Sequence, residues 1–479
     1  MEGWGRSPRS RSPQLVALVD SPRGPGGRGG AAGRPTRRRA ALGAVATTAA
    51  GALLAACGGP TPGAGGEGSP AGPLPAAPET LVWSTFRGGG EGGRWRDIQM
   101  QRFAAKFPRT KVDLQVLTQD YPKQFALAAA GTLGDVYAWD PSHWVFYDAI
   151  NKRVIRPIDE YLKRDKYDLG QFYKVFAEYQ KWDGKTWGLP SWGWTGHDGL
   201  LYNTELAQAA GVTFPSQTAP DWTMSKIYEI AVKLGKFAER TGGFGMTTTM
   251  PGAIAVTIFA RAFNGDNLSP DGKKSTLLDP APKEAMKWVY DLANKEKVVA
   301  LPGAYQGDPF LSGTLGMEQA GSLSVFNRNK ANKDGLLKFK AALFPKRKDG
   351  KRPSQLRGGT WNVGVPSAGA KSPDYAWEFI KLIADREGAL TLNTIGGEGA
   401  LVRPDIMTDA YFQDPNFRVY LENFDNAMLH VVPANFRGQE FESTVNAEGL
   451  PWYKGEVGFE DGLKTWHDAV QRVLDQPQV

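Results

Sequence analysis

Residues 79–117 read ETLVWSTFRGGGEGGRWRDIQMQRFAAKFPRTKVDLQVL, and this stretch decides the fold class. Residues 79–86 are short, apolar and β-prone, which predicts a strand. After the glycine-rich turn, Met100, Phe103 and Phe107 recur at spacings of three and four, giving one apolar face to a helix that Pro108 ends. Residues 111–117 alternate as a second strand does. A helix over 121–130 and a third strand at 135–139 (DVYAW) continue the pattern. Strand, helix, strand, helix, strand implies a parallel sheet covered by helices. In such open sheets ligands collect at the carboxyl ends of the strands, here Phe86-Arg87 and Trp139-Asp140.

Working outward, WDGKTWGLP (182–190) predicts a hairpin with Asp183-Gly184 at its turn. LLYN (200–203) predicts another strand, and a helix begins over 205–210. Asp279-Pro280 and Ser372-Pro373 read as N-caps followed by Pro at the first helical position. The helices they open carry Ala285, Val289 and Leu292, and Trp377, Ile380 and Ala384, on their inner faces. An α/β chain of this length has room for two lobes.

The N-terminus is of another kind. Cys57 is the only cysteine, so it can form neither an internal disulfide nor a thiolate metal site. It follows TRRR (36–39) and the uncharged, alanine-rich run 40–56, an order that marks an export signal and is too short and weakly apolar for a comfortable membrane span. LAAC (54–57) resembles the bacterial lipobox, and the arginines with low hydropathy resemble a twin-arginine signal. Residues 58–78 hold 13 Gly or Pro in 21, the composition of a flexible tether. Residues 1–57 are therefore expected to be an export signal, with Cys57 a lipid attachment point on the outer side of the cell membrane.

That leader also accounts for the basic balance. The chain has 57 Lys+Arg and 50 Asp+Glu, yet nine Arg and only Glu2 and Asp20 lie in residues 1–39, which leaves 48 of each sign afterwards. The exported body is formally neutral, and nucleic-acid binding is set aside.

Ten segments in order resemble the extracellular solute-binding proteins of bacterial ABC importers, the group that includes maltose-binding protein. They run from the lipobox and first strand through GTLGDVYAWD (131–140), VIRPIDEYL (154–162), GKTWGLP with LLYNTELAQAAG (200–211), and the Trp-Thr pair Trp222-Thr223. FNGDNLSPDGKKSTLLDP (263–280), FLSGTLGMEQAGSLSVF (310–326), SPDYAWEFIKLIADREG (372–388) and GEVGFEDGLKTWHDAVQRVL (455–474) complete the series. The resemblance implies a two-lobed α/β periplasmic-binding-protein fold of type II. One lobe is expected from 79–187 with 356–403, the other from 188–355 with 404–479, with the ligand cleft between them. It implies hinge closure on a small solute, docking on permease subunits, a monomer, and neither a reaction nor a cofactor.

Sugars offer apolar C–H faces and hydroxyl edges, so their sites combine aromatic platforms with groups that make several hydrogen bonds. Segments of this kind at positions matching the family's ligand contacts contain Phe86 and Arg87; Trp139, Asp140, His143 and Trp144; Trp192, Trp194 and His197; and Trp361. Near the C-terminus Phe441, Trp452 and Tyr453 compete for an aromatic platform, with Phe441 taken as the contact. At 321–324 the sequence is GSLS, where sugar binders of the family often carry an aromatic after the Gly.

Two enzyme readings stand beside this one. Gly88, Gly90 and Gly93 fit G-x-G-x-x-G with Asp113 beyond, as in an NAD(P)-dependent oxidoreductase, although Asp113 falls inside its strand. A glycosidase would need two carboxylates, for which Asp135, Asp140, Asp198 and Glu318 are available. No G-x-S-x-G or H-E-x-x-H occurs, which disfavours serine-hydrolase and zinc chemistry.

Overall fold

The structure is a computed structural model that describes residues 74–478 apart from 87–89, 119, 140–143, 333, 398–400, 425–427 and 429–430. The expected signal, Cys57 and most of the tether lie outside the described residues. The end of the tether does not hang free: the Tyr375 hydroxyl donates to the Pro75 carbonyl at 3.1 Å and the Thr110 hydroxyl to that of Pro78 at 2.7 Å.

Eleven strands are described: β1 Thr80–Phe86, β2 Lys111–Leu117, β3 Val136–Trp139, β4 Lys181–Trp182, β5 Lys185–Thr186, β6 Leu189–Thr195, β7 Gly199–Asn203, β8 Phe244–Thr247, β9 Leu315–Ala320, β10 Phe339–Leu343 and β11 Leu356–Val363. They form a five-stranded sheet in the order β2-β1-β3-β11-β6 and a four-stranded sheet in the order β10-β7-β9-β8. The first three strands are parallel, as the 79–139 pattern implies, and β11 joins antiparallel between β3 and β6. The β4–β5 hairpin turns at Asp183 and Gly184, both at positive φ (50° and 69°), the geometry that a two-residue hairpin turn demands.

The fold is the two-lobed one. The expected boundary between 187 and 188 precedes β6, which hydrogen-bonds to β11 in the first sheet; the chain changes sheets after Thr195. It crosses at 196–198 and returns at 344–355.

Alternation in the second sheet divides its faces. Leu200, Met317 and Ala342 join a core with Phe259, Trp288 and Trp466, whereas Leu201 and Leu343 face a core continuous with the first sheet. In that continuous core Trp83 of β1 meets Trp95, Trp361 and Phe379 edge-on at 5.5, 5.8 and 5.0 Å. Trp95 comes from the helix Gly90–Lys106 and Phe379 from Pro373–Ile383, so the periodicity of both helices is realised as packing on β1. Aromatic contact continues to the lobe junction, where Phe424 meets Tyr173 at 5.1 Å and Phe176 at 5.4 Å.

Helices do begin at Pro280 and Pro373, but neither Asp279 nor Ser372 makes a side-chain capping bond. Ser372 is instead held through its N–H by Asp135. That buried carboxylate accepts from Lys371 N (2.7 Å), Ser372 N (2.9 Å) and Val82 N (2.8 Å), tying β1 to the start of the helix behind it. Replacing Asp135 by Ala strands three N–H groups, so urea unfolding should show a loss of roughly 3 kcal/mol or more. A midpoint unchanged from the parent would contradict this role.

Candidate ligand-binding site

The site is built where β6 leaves the first sheet. Residues of a strand alternate faces. Accordingly Ser191, Gly193 and Thr195 are buried, and Trp192 and Trp194 share the opposite, half-buried face. The ring of Trp192 lies against Gly359, where the β11–β6 register shifts between Gly358 and Thr360. A Cβ at Gly359 would stand 2.4 Å from that ring, so only glycine admits the indole there. Trp361 meets Trp192 edge-on at 6.1 Å and stacks on Trp95 at 6.0 Å. Trp361 is only 3% exposed, so it backs the Trp192 platform from within the core.

Beyond Thr195 the crossover is pinned on every side. Gly196 N donates to Gln355 O at 2.9 Å and Phe344 N to Asp198 O at 3.1 Å, so the outgoing and returning connections bond to each other. Gly321 packs on the Thr195 carbonyl, where a Cβ would come within 2.2 Å. His197 between them has φ 54°. It lines a cavity of about 200 Å³ with Thr249, Gly252, Ala253, Glu442 and Asn446. Thr249 follows β8, Gly252 and Ala253 begin the helix Ala253–Ala262, and Glu442 and Asn446 stand one turn apart on the helix Gly438–Tyr453.

A first-lobe element closes against that last helix. The helix Trp144–Asn151 contacts Gly438–Tyr453, and Phe436, at φ 57°, lies 6.4 Å from the ring of Tyr147 and 5.9 Å from that of Trp182. The adjacent Asn435 amide donates to the Val473 carbonyl at 2.7 Å, which anchors this aromatic reach in the second lobe.

The sequence-based candidates thus divide. Trp192 and Trp194 share the half-buried face of β6, and His197, two residues past the end of that strand, lines the cavity. Trp139 is buried and stacked on Phe125 at 5.6 Å, inside the first lobe. Phe441 is buried in the second core with Trp452 and Tyr453. Arg87, Asp140 and His143, and the side chains of Phe86 and Trp144, lie outside the described residues. The sequence reading missed Thr249, Glu442 and Asn446. The strand-end rule applied to β8 points to Thr249; Glu442 and Asn446 lie one residue beyond Phe441 and Val445 of the apolar stripe, at i and i+4 of a polar face.

The acids proposed for hydrolytic chemistry have other partners. Asp135 caps backbone as described above. Glu318 is gripped by Arg328 at 2.8 and 2.5 Å, and burial lifts its carboxyl above the ordinary value against that pull. Asp113, the acid of the dinucleotide-binding alternative, pairs with Lys111 at 2.6 Å within β2. A second cavity, about 650 Å³, is walled by 217–225, the end of the helix Ala253–Ala262 and 345–348.

Strands fed from both lobes, three-sided pinning of the crossover and a polar cavity beside it define a two-lobed solute-binding protein. Comparison with known proteins agrees: residues 99–418 match the bacterial extracellular solute-binding protein family, and the chain belongs to that family. Among solved structures, it is similar to an ABC substrate-binding protein from Listeria monocytogenes in complex with cycloalternan (19% identity, 82% of this chain and 98% of that one, TM-score 0.68). It is also similar to a solute-binding protein from Thermotoga lettingae bound with α-D-tagatose (20%, 83% and 100%, 0.66). A third is UgpB from Mycobacterium tuberculosis in complex with glycerophosphocholine (18%, 84% and 99%, 0.64).

Asp198 sits at the crossover fully buried, its Oδ2 accepting from Asn423 Nδ2 at 2.5 Å, and burial pushes its carboxyl up to about 7 against that bond. The unfolded carboxyl ionises near 3.8, so between these values the folded chain holds the extra proton. This group's contribution to stability is complete below the unfolded value and is lost as pH rises through the folded one. Between pH 5 and 8 the thermal midpoint should fall, and Asp198→Asn, which stays neutral and keeps an acceptor for Asn423, should flatten the fall. Equal slopes for both proteins would contradict the assignment.

Proposed function

We propose that the chain is the extracytoplasmic, lipid-anchored substrate-binding subunit of an ABC importer, and that it captures a mono- or oligosaccharide by closure of its lobes. The observation that carries this reading is the polar cavity edged by His197, Thr249, Glu442 and Asn446, with His197 supplied by the crossover between the two sheets; the half-exposed indole of Trp192, set on Gly359, is the aromatic platform this reading assigns. An indole face suits the C–H face of a pyranose, and amide, hydroxyl, imidazole and carboxylate groups suit its hydroxyl edge. The carbohydrate ligands of the Listeria and Thermotoga proteins support the same class.

In this reading the first lobe is built on the five-stranded sheet and the second on the four-stranded one, with the crossovers as hinge. The lipobox-like LAAC and its Gly/Pro tether support anchoring through Cys57, which would hold a monomeric body near its permease. Binding and release need no bond to be made or broken.

Thermal unfolding against α-D-tagatose, maltotriose, glycerophosphocholine and NAD(P) tests the class. A ligand at about 100 times its Kd adds roughly 2.7 kcal/mol, so a saccharide should raise the midpoint visibly and be recovered intact. A shift with NAD(P) alone, or a consumed saccharide, would overturn the reading. Trp192→Ala and Glu442→Gln should each weaken saccharide binding by about tenfold or more while unfolding stays cooperative. Cys57→Ala should move the protein from the membrane fraction to the medium or soluble extract.

A further inference from the structure

The two walls of the cavity are joined by one buried side chain that does not line it. Gln319, on β9, is 4% exposed. Its Oε1 accepts from Thr249 N at 3.0 Å and from Thr249 Oγ1 at 3.1 Å, and its Nε2 donates to His197 O at 3.0 Å. Both residues are supplied by connections rather than by helices. His197 belongs to the crossover and is held at φ 54°, a conformation costly for a residue with a Cβ. Thr249 belongs to the loop between β8 and the helix Ala253–Ala262, and its side chain is exposed.

His197 lies between the backbone bonds of Gly196 and Asp198, so its own carbonyl is the atom that reports where the crossover stands relative to the second sheet. Thr249 N precedes the helix and has no carbonyl partner within a regular element. A side-chain amide satisfies both with one donor and one shared acceptor, which neither a carboxylate nor an apolar side chain of the same length can do. Since β9 lies at the centre of the second sheet between β7 and β8, the brace is itself fixed.

We propose that Gln319 is a positioning residue for ligand capture, setting the spacing between the His197 and Thr249 walls without touching the solute. The inference rests on the proposed function, because it takes this cavity to be where solute binds. It adds a buried polar residue of β9 that stands behind the cavity wall. Lobe closure then acts on walls already in register, so that solute does not bear the cost of ordering them.

The test uses the full chain with Gln319→Leu, which removes all three bonds, and Gln319→Glu, which keeps the acceptor for Thr249 and sets an oxygen against His197 O. The probes are α-D-tagatose, maltotriose and glycerophosphocholine by calorimetry, with amide exchange of unliganded protein alongside. For whichever probe the parent binds, Gln319→Leu should weaken affinity by about tenfold or more, because it removes the bonds by which this side chain holds the two walls together. Gln319→Glu should be weakened at pH 7.5 and regain most of the loss at pH 5, where the protonated acid again donates to His197 O; Gln319→Leu should not recover.

Amide exchange keeps the proposal testable where a variant misfolds or no probe binds. The parent's Thr249 N–H should be protected although its side chain is exposed, and that protection should drop at least tenfold in any variant that folds. Parent-like affinity in both variants, no recovery of Gln319→Glu on acidification, or an unprotected Thr249 amide in the parent would overturn the role. If no probe binds the parent while Thr249 is protected, the ligand class fails and the brace stands.

Discussion

The structure depends on how a single chain passes between two sheets without leaving polar backbone unpaired. At 196–198 and 344–355 the outgoing and returning connections solve this by bonding to each other, Gly196 to Gln355 and Asp198 to Phe344. The backbone there can neither slide nor separate without stranding buried N–H and C=O groups. Rotation about the pair would leave these bonds intact, and it is the motion that the proposed closure of two lobes would use. Asn423 adds the last descending segment to the same point through Asp198, and buried Arg352 adds another tie by donating to Phe344 O at 2.8 Å and to Glu422 at 3.1 Å.

Around this hinge the aromatic residues take different parts. Trp83, Trp95 and Trp361 form the first-lobe interior, and their line of edge-on and stacked contacts ends at Trp192, the first indole with substantial exposure. A platform supported in this way would lose little freedom under the sugar ring that the proposed function stacks on it. On the far side Phe436 reaches from a segment anchored by Asn435 to Tyr147 and Trp182. The polar cavity opens beside the crossover at His197.

Much of the fold was legible in the sequence because local periodicity and packing agree. The first five elements fall where the alternation and the three-four spacing of 79–139 put them, and the Asp183-Gly184 turn could only be a tight hairpin. The position of β6 was not legible: LPSWGWT has no signal for which of two sheets it joins, and only its pairing with β11, more than 150 residues later, decides it. Side chains tell the same story. Aromatic identity proposed Trp192, Trp361 and Phe441 alike as contacts, and it could not tell the half-exposed Trp192 from Trp361 and Phe441, which tertiary packing buries. Thr249 and Gln319 escaped because their importance lies in hydrogen bonds between distant segments, of which no periodicity gives notice.

The central claim is that the two sheets move as bodies about the crossovers and close on a small solute. Because Cys57 is the only native cysteine, Cys57→Ser allows clean spin labels at Glu160→Cys and Glu229→Cys, exposed positions on the helices Asp159–Asp165 and Met224–Ala238. Pulsed distance measurement should show the label separation changing to one narrow distribution on addition of the saccharide that raises the thermal midpoint. An identical distribution with and without saturating saccharide would contradict capture by closure.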